Sequence, residues 1–222
     1  MRIIRCQLCL HENLFYATRE IGRLYETGRY LHNYGLTYAL GLATSAYRSA
    51  GAIPRYAEEL SVLNDRQLYV TPARPLAVAY ELNTFKYADN RYRVKMEPGS
   101  RNTPSFGRAK ELAVGSQFEF TVFCGDEWQP SKWIRLGKWM SKAAVEVVTA
   151  VEVSEIRTGQ YTAAVPINPL DLPADCQLLA YDLISMPPVS LLDNVQLVGP
   201  HYRLSNGDCI PAGLGYRFPE SG

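Results

Sequence analysis

The chain of 222 residues has no apolar run long enough to cross a membrane as a helix. Its most apolar stretches, residues 35–47 and 143–153, are short and interrupted, whereas a spanning helix needs about 20 apolar residues. The first eleven residues alternate apolar and polar side chains and lack the apolar centre of a secretory signal peptide. We therefore expect a cytoplasmic protein without membrane contact.

The sequence also lacks a complete set of metal ligands. Its five cysteines are scattered, which is typical of reduced thiols in a cytosolic protein. Cys6 and Cys9 form a CxxC, but no second CxxC and no histidine pair at zinc spacing could complete four ligands. Cys6 shares a strand face with Ile4 and Leu8, so we predict that it is a small core residue. No metal and no cofactor are predicted.

Motifs for catalysis are missing as well. The chain has no GxxxxGK[ST] loop, no GxGxxG loop and no carboxylate cluster for magnesium. His11, His32 and His201 are far apart in sequence, and we expect each to be partly buried and hydrogen-bonded. We therefore predict no catalytic residue. A metal-independent endoribonuclease, which would use a base poised near neutral pH, stays open as the alternative.

Charge is nearly balanced over the whole chain but not along it. Residues 1–142 hold 20 basic and 13 acidic side chains, an excess of 7 positive charges. Residues 143–222 hold 3 basic and 9 acidic side chains, an excess of 6 negative charges. This division predicts a face for a polyanion in the first part and a protein-docking face in the second, with Asp171, Asp175 and Asp182 as docking residues. The alternative is a solvated surface with an accidental bias.

Segment 83–111 has the densest basic pattern. Its basic residues at alternate positions from 91 to 95 would project from one face of a strand, and turn residues at 97–102 predict an extended hairpin. Cations interleaved with tyrosines are typical of surfaces that bind single-stranded nucleic acid. The alternative is an edge strand protected from aggregation by its charges. The candidate RNA-binding residues here are Lys86, Tyr87, Arg91, Tyr92, Arg93, Lys95, Arg101, Arg108 and Lys110.

A second basic segment, residues 131–142, contains two tryptophans and no acidic residue. Trp133 and Trp139 are either stacking platforms beside cations or anchors of the core, and the residues alone do not decide between these roles. Gly137 allows a close backbone approach. The candidate RNA-binding residues of this segment are Lys132, Arg135, Lys138 and Lys142.

Periodicity predicts a sheet-rich α+β protein with one main helix near the N-terminus. The dipeptide Asn206-Gly207 between two extended segments predicts a hairpin with a type I′ turn. An apolar stripe predicts a helix over residues 30–48. The predicted strands are residues 2–10, 76–82, 115–124, 145–153 and 176–184.

Several long blocks of this sequence resemble a known family. They are MRIIRCQLCLHENLFYATREIGRLYETGRYLHNYGLTYALGL, YVTPARPL followed by TFKYADN, NTPSFGRAKELAVGSQFEF and WIRLGKWMSKA. They are similar to the small Cascade subunit of type I-D CRISPR systems, Csc-one, of the Cas-five group in the RAMP superfamily. The resemblance covers most of residues 1–150 in order and is weaker beyond them.

The resemblance implies an RRM-like (ferredoxin-type) palm over residues 1–150, with a basic β-hairpin thumb at about 83–111. A smaller C-terminal β-rich part, residues 151–222, would pack on the palm. The implied role is to cap the 5′ handle of the guide RNA and to start the filament of backbone subunits in a complex for antiviral defence. Contacts with the large subunit, and with target DNA near the protospacer-adjacent motif (PAM), are further implications.

In one related subtype the homologous subunit cuts the precursor RNA. Type I-D systems use a separate processing subunit, so the resemblance implies a non-catalytic role here. Besides the endoribonuclease, a second alternative stays open: a scaffold that binds only protein partners.

Overall fold

The computed structural model describes residues 1–43, 55–86, 106–125 and 127–219. Within these residues the chain is mostly β with few helices, as the α+β prediction requires. The helices are α1 (Asn33–Ala39) and α2 (Tyr56–Leu60), with 3-10 segments at Ser61–Arg66 and Pro169–Asp171. The strands are β1 (Arg2–Leu10), β2 (Arg19–Ile21), β3 (Leu24–Glu26), β4 (Tyr69–Val70), β5 (Arg74–Ala77), β6 (Tyr80–Lys86), β7 (Phe106–Leu112), β8 (Gln117–Cys124), β9 (Trp133–Leu136), β10 (Ser141–Glu152), β11 (Arg157–Thr162), β12 (Gln177–Ile184), β13 (Leu191–Arg203) and β14 (Cys209–Pro211).

The largest sheet is built around β1 and has the order β4-β8-β1-β10-β9, with β5 also pairing with β8. Strand β1 lies antiparallel between β8 and β10. Ile4, Leu8 and Leu10 are buried as the alternation predicts, and Cys6 is a core residue. Ile3 on the opposite face is buried as well. Burial raises the pKa of the Cys6 thiol to about 12, so it stays protonated and packs as a small apolar group. The prediction for Cys6 is confirmed.

The predicted strand 115–124 corresponds to β8, whose residues from Phe118 to Cys124 are all buried. Glu119 is tolerated inside because two arginines from the neighbouring strands bind its carboxylate. Arg5 Nε lies 2.6 Å from Glu119 Oε2, and Arg74 Nη2 lies 2.8 Å from Glu119 Oε1. A buried carboxylate needs such partners. Because the two arginines supply them, both faces of β8 can be covered.

The predicted strand 76–82 is two strands that belong to different sheets. Strand β5 pairs with β8 in the largest sheet, whereas β6 pairs with β7 in a separate sheet of order β2-β3-β7-β6. The chain changes sheet at Val78 and Ala79, where the Ala79 carbonyl accepts a 2.9 Å hydrogen bond from the Ala113 amide. Apolar content alone does not show such a change of partner strand.

The predicted helix over 30–48 is shorter in the structure. His32 caps α1, since its Nδ1 accepts the Tyr34 amide hydrogen at 3.2 Å. The helix ends at Leu40 in a Schellman motif: the Gly41 amide donates to Tyr38 O and the Leu42 amide donates to Thr37 O. Gly41 has a φ of +71°, the left-handed conformation that this motif requires. Residues 44–48 lie outside the described residues.

The C-terminal residues form a sheet of order β11-β13-β12, with β14 paired to β13. The hairpin predicted at Asn206-Gly207 is present between β13 and β14. Its turn type is not the predicted one: only Gly207 has a positive φ, +91°, and its amide donates to Leu204 O. This loop is a type I turn followed by one left-handed residue.

The main core contains residues from both ends of the chain. Phe118 and Leu8 of the largest sheet belong to the same buried cluster as Tyr202, Ile210 and Tyr216. A smaller cluster lies within the C-terminal sheet. The predicted boundary at residue 150 falls inside β10, and the division into two parts stays a prediction.

Candidate nucleic-acid interface

The hairpin formed by β9 and β10 presents its polar and aromatic residues outward. Ile134 and Leu136 are buried, so the alternate residues Trp133 and Arg135 face solvent. Trp133 is 43% exposed. Of the two roles that the sequence left open for Trp133, this exposure excludes the anchor of the core.

Trp133 lies beside cations. Lys142 Nζ is 4.0 Å from the centre of one Trp133 ring, and Lys132 Nζ is 6.0 Å from it. His11 meets the same indole edge-on, with 4.9 Å between ring centres. Cations over an indole contribute about 0.5–1 kcal/mol at exposed sites. These contacts restrain the Trp133 ring and leave much of its surface accessible.

Glu12 holds the loop end of this hairpin. Its Oε2 accepts the Lys142 amide hydrogen at 2.8 Å and lies 3.3 Å from Arg135 Nη1. Arg135 also donates to the Met140 carbonyl at 2.9 Å. Part of the Arg135 hydrogen-bonding capacity is therefore used to hold the loop. Lys132 and Lys138 are exposed, whereas Lys142 is half-buried and lies over Trp133.

Trp139 lies in the four-residue loop between β9 and β10 and is 49% exposed. Its ring stacks on Phe15 with 4.6 Å between centres, and Phe85 of β6 meets it edge-on at 5.8 Å. Lys138 Nζ lies 6.0 Å from the Phe15 ring. We call the whole set the aromatic–basic surface: Phe15, Phe85, Lys132, Trp133, Arg135, Lys138, Trp139 and Lys142.

Gly137 lets this loop approach the chain beneath it. Its φ is +80°, and a Cβ there would lie 2.4 Å from Leu14 Cδ1 and 3.0 Å from the Phe15 carbonyl oxygen. The Gly137 amide also donates to the Tyr16 hydroxyl at 3.0 Å. The close approach predicted for Gly137 is confirmed, and it brings Trp139 onto Phe15.

We expect Gly137→Ala to lower the free energy of unfolding by roughly 2–3 kcal/mol, because it adds a clash to the cost of a left-handed alanine. Urea denaturation measures the loss. Gly22→Ala is the matched control, since Gly22 has a φ of +60° but nothing within 4 Å of the added Cβ. Equal losses for the two variants would contradict the role of the close approach.

Residues 1–219 match the family model described as type I-D CRISPR-associated protein Cas5/Csc1. The chain belongs to this family. The family membership expected from the sequence blocks is thereby confirmed, and the match extends well beyond residue 150. No curated protein sequence matches the chain.

Among solved structures, a chain from a cryo-EM structure of the type III-B Cmr-beta complex, bound to cognate target RNA and AMPPnP, is similar at 12% sequence identity. The alignment covers 88% of this chain and 86% of that chain, with a TM-score of 0.46. A likeness at this level carries no functional argument.

The structure brings some of the predicted RNA-binding residues of this Cas5/Csc1-family chain together and separates others. Lys132, Arg135, Lys138 and Lys142 share one hairpin. Strand register places Arg108 opposite Thr84 and Lys110 opposite Leu82, on the face of the β6–β7 hairpin away from Phe85. The side chain of Lys86, and Tyr87, Arg91, Tyr92, Arg93, Lys95 and Arg101, lie outside the described residues.

Lys110 is already partnered. Its Nζ lies 3.3 Å from Glu26 Oε1 and 4.4 Å from the centre of the Tyr80 ring. Arg108 donates its backbone amide to the Arg23 carbonyl at 2.8 Å, which joins β7 to the parallel strand β3. These two residues therefore help to hold β7 against β3 and also add positive charge to the β2-β3-β7-β6 sheet.

Sequence reasoning missed Phe15, Phe85, His11 and Glu12 as members or supports of this surface. Phe15 lies in a connection rich in aromatic and basic residues, which was a usable signal. Nothing in the sequence indicates that Phe85 meets Trp139, because the contact joins two separate hairpins.

The three histidines lie in different surroundings. His32 is buried and uses both ring nitrogens: Nδ1 accepts from the Tyr34 amide, and Nε2 lies 3.1 Å from the Val189 carbonyl. Burial lowers its pKa to about 4. His201 is also buried, with Nδ1 3.2 Å from the Gly199 carbonyl oxygen. The prediction of partly buried histidines is wrong for His11, which is exposed against Trp133.

In the described part of the chain, no group of three His, Cys, Asp or Glu residues could hold a metal ion. No helix there is long and apolar enough to cross a membrane.

Proposed function

We propose that this chain is a non-catalytic RNA-binding subunit of a type I-D CRISPR surveillance complex. In this role it caps the 5′ handle of the guide RNA and starts the filament of backbone subunits. It also contributes contacts with the large subunit and with target DNA close to the PAM. Family membership supports the setting. The observation that carries RNA binding is the pair of half-exposed tryptophans, Trp133 and Trp139, on one lysine-bearing hairpin.

This surface has the chemistry that single-stranded RNA requires. Bases stack on exposed indole rings, and lysines beside them contact phosphates. Lys142 supplies a cation next to Trp133, and Lys138 supplies one next to the Phe15–Trp139 stack. Binding that uses π-faces and point charges requires no particular base sequence.

The finer architecture belongs to the same proposal. The largest sheet would serve as the RRM-like palm, and the hairpin of β6 and β7 as the base of the thumb. That hairpin leads directly into residues 87–105, which carry the alternating basic residues. The basic segment would then grip the RNA backbone.

We expect the triple variant Arg91→Glu, Arg93→Glu and Lys95→Glu to weaken RNA binding and to flatten its salt dependence. For single-stranded RNA, each phosphate that the protein no longer neutralises reduces the slope of log K against log salt by about 0.7, so three such phosphates reduce it by about 2. Fluorescence anisotropy at several salt concentrations measures the slope. The control is Arg157→Glu with Arg203→Glu in the C-terminal part. An unchanged slope in the folded triple variant would contradict the assignment.

The C-terminal part is proposed to contact protein partners, the backbone and large subunits. Asp175 and Asp182 are exposed, and the edge strand β12 exposes Leu179, Tyr181 and Leu183. Asp171 does not belong to this surface. It is fully buried, so its prediction as a docking residue is wrong.

The direct test is purification of the protein with the other subunits of its complex. The ratio of absorbance at 260 and 280 nm shows bound RNA, and we expect it to fall when Trp133 and Trp139 are replaced by alanine. A scaffold that binds only proteins would co-purify without RNA. An endoribonuclease would cut repeat RNA when the isolated protein is incubated with it, whereas we expect the RNA to remain intact.

A further inference from the structure

A cleft of about 240 Å³ opens beside the aromatic–basic surface. Its walls come from three separate parts of the chain: Tyr16, Tyr34 and Gly35 on the N-terminal side, Tyr56 of α2, and the segment 186–188. Exposed Lys138 borders it and belongs also to the aromatic–basic surface. The cleft is therefore lined mainly by rings and aliphatic groups, with one cation at its edge.

The groups inside the cleft are neutral near pH 7. His32 has both nitrogens hydrogen-bonded, and burial lowers its pKa to about 4. Burial raises the pKa of Tyr16 and of Tyr34 to about 12, so both hydroxyls keep their protons. A neutral interior lined by rings favours an uncharged planar ligand, because a buried charge would have no counter-charge there.

The volume of the cleft matches a single ring system. An engineered cavity of about 150 Å³ in another protein holds benzene, which has six heavy atoms. By proportion, 240 Å³ has room for about ten, which is the size of a nucleobase. Clefts for drug-sized ligands usually begin at about 300 Å³, so the cleft is smaller than is usual for a dinucleotide.

The cleft and the aromatic–basic surface share a wall. The Lys138 amide donates to the Phe15 carbonyl at 3.0 Å, and the Phe15 ring stacks on Trp139. The Tyr16 hydroxyl lines the cleft and accepts the Gly137 amide hydrogen from the same loop. A strand lying across Trp139 would therefore pass the mouth of the cleft.

We propose that the cleft receives one unstacked nucleobase of the single strand that lies on the aromatic–basic surface, while Lys138 contacts an adjoining phosphate. This inference rests on the proposed RNA-binding function and adds to it a pocket for one base. With such a pocket, the affinity for RNA depends on the base at one nucleotide position. Stacking on the open surfaces of Trp133 and Trp139 produces no such dependence.

Gly35 offers a way to fill the cleft without disturbing its walls. It lies in α1, and a Cβ there would lie 3.4 Å from the Tyr16 hydroxyl oxygen, an ordinary contact. Gly35→Leu would extend a side chain into the cleft, and both leucine and alanine are better helix formers than glycine. Gly35→Ala is the matched control, since it makes the same backbone change and leaves most of the volume open.

The experiment measures the affinity of each variant for single-stranded RNA in which one nucleotide at a time is abasic. In the unaltered protein we expect one abasic position to weaken binding about tenfold more than its neighbours. Gly35→Leu should weaken binding of intact RNA by a similar factor and should make that abasic position silent. Gly35→Ala should behave as the unaltered protein does, and melting temperatures verify folding.

The possible outcomes separate the two proposals. A uniform abasic profile in the unaltered protein overturns the cleft proposal even if Gly35→Leu does not fold. Full affinity of folded Gly35→Leu for intact RNA overturns it as well, while RNA binding that depends on Trp133 and Trp139 persists. If the unaltered protein does not bind single-stranded RNA, both proposals are overturned.

Discussion

Trp133→Ala and Trp139→Ala are expected to weaken RNA binding about 5- to 150-fold each, with little loss of stability. Removing a stacking platform costs about 1–3 kcal/mol per base. Both rings are close to half exposed, so their deletion leaves no large cavity. Fluorescence anisotropy with labelled single-stranded RNA measures the affinity, and thermal unfolding measures the stability of each variant.

The chain provides a matched control in its third tryptophan. Trp128 is partly buried and packs against the main core. We expect Trp128→Ala to lower the melting temperature, while affinity measured well below that temperature stays the same. The opposite pattern, with Trp133 or Trp139 needed for folding and not for RNA, would refute the assignment of the aromatic–basic surface.

The free energy of unfolding is expected to decrease as pH rises from about 4 to about 6, with Asp171 as the cause. Its carboxylate accepts hydrogen bonds from Asn33 Nδ2 at 2.8 Å and from the Tyr69 hydroxyl at 2.9 Å. The Arg217 amide donates to its other oxygen at 3.3 Å. Burial nevertheless outweighs these partners and raises the pKa of Asp171 from 3.8 to about 6.

The sign follows from proton binding. Between pH 4 and pH 6 the folded state holds the Asp171 proton and the unfolded state does not, so raising the pH favours unfolding. A shift of about two pKa units corresponds to at most about 3 kcal/mol. Tyr69, Tyr216, Tyr34 and Arg217 surround the carboxyl group, and the three tyrosines stay neutral across this pH range.

Urea denaturation at several pH values tests this for the unaltered protein and for Asp171→Asn. The difference in unfolding free energy between the two proteins should change across pH 4–6 and be constant above it. Asp175→Asn makes the same chemical change at an exposed position and is the control. If Asp171→Asn keeps the full pH dependence of the unaltered protein, another group is responsible.

Much of the fold could be predicted from local pattern. The predicted bounds of β1 are correct to the residue, because apolar and polar side chains alternate along most of this segment. The predicted hairpin at Asn206-Gly207 is also present, although its turn type differs. The predicted helix is longer than α1 because Leu42 continues the apolar stripe in the sequence. In the structure Leu42 also packs on the core, but from the Schellman motif that follows the helix.

The candidate site could be predicted only in part. The basic residues of 131–142 are adjacent in sequence and lie on one hairpin, so composition was enough to find them. The partners Phe15 and Phe85 come from distant segments, and periodicity within one strand carries no information about them. The same applies to the Glu81–Asn13 hydrogen bond of 2.6 Å, which ties β6 to the N-terminal segment beneath this surface.

The amino-acid sequence by itself determined the sheet-rich class, the family and the two basic segments, because these depend on residues close together in the chain. Only the tertiary structure decided that Trp133 and Trp139 are exposed and that Asp171 is buried. It also decided that Lys110 lies on the opposite face of the β6–β7 hairpin from Phe85. Burial depends on which distant strands cover a residue, and strand register decides which face a side chain takes, since a shift of one residue reverses it.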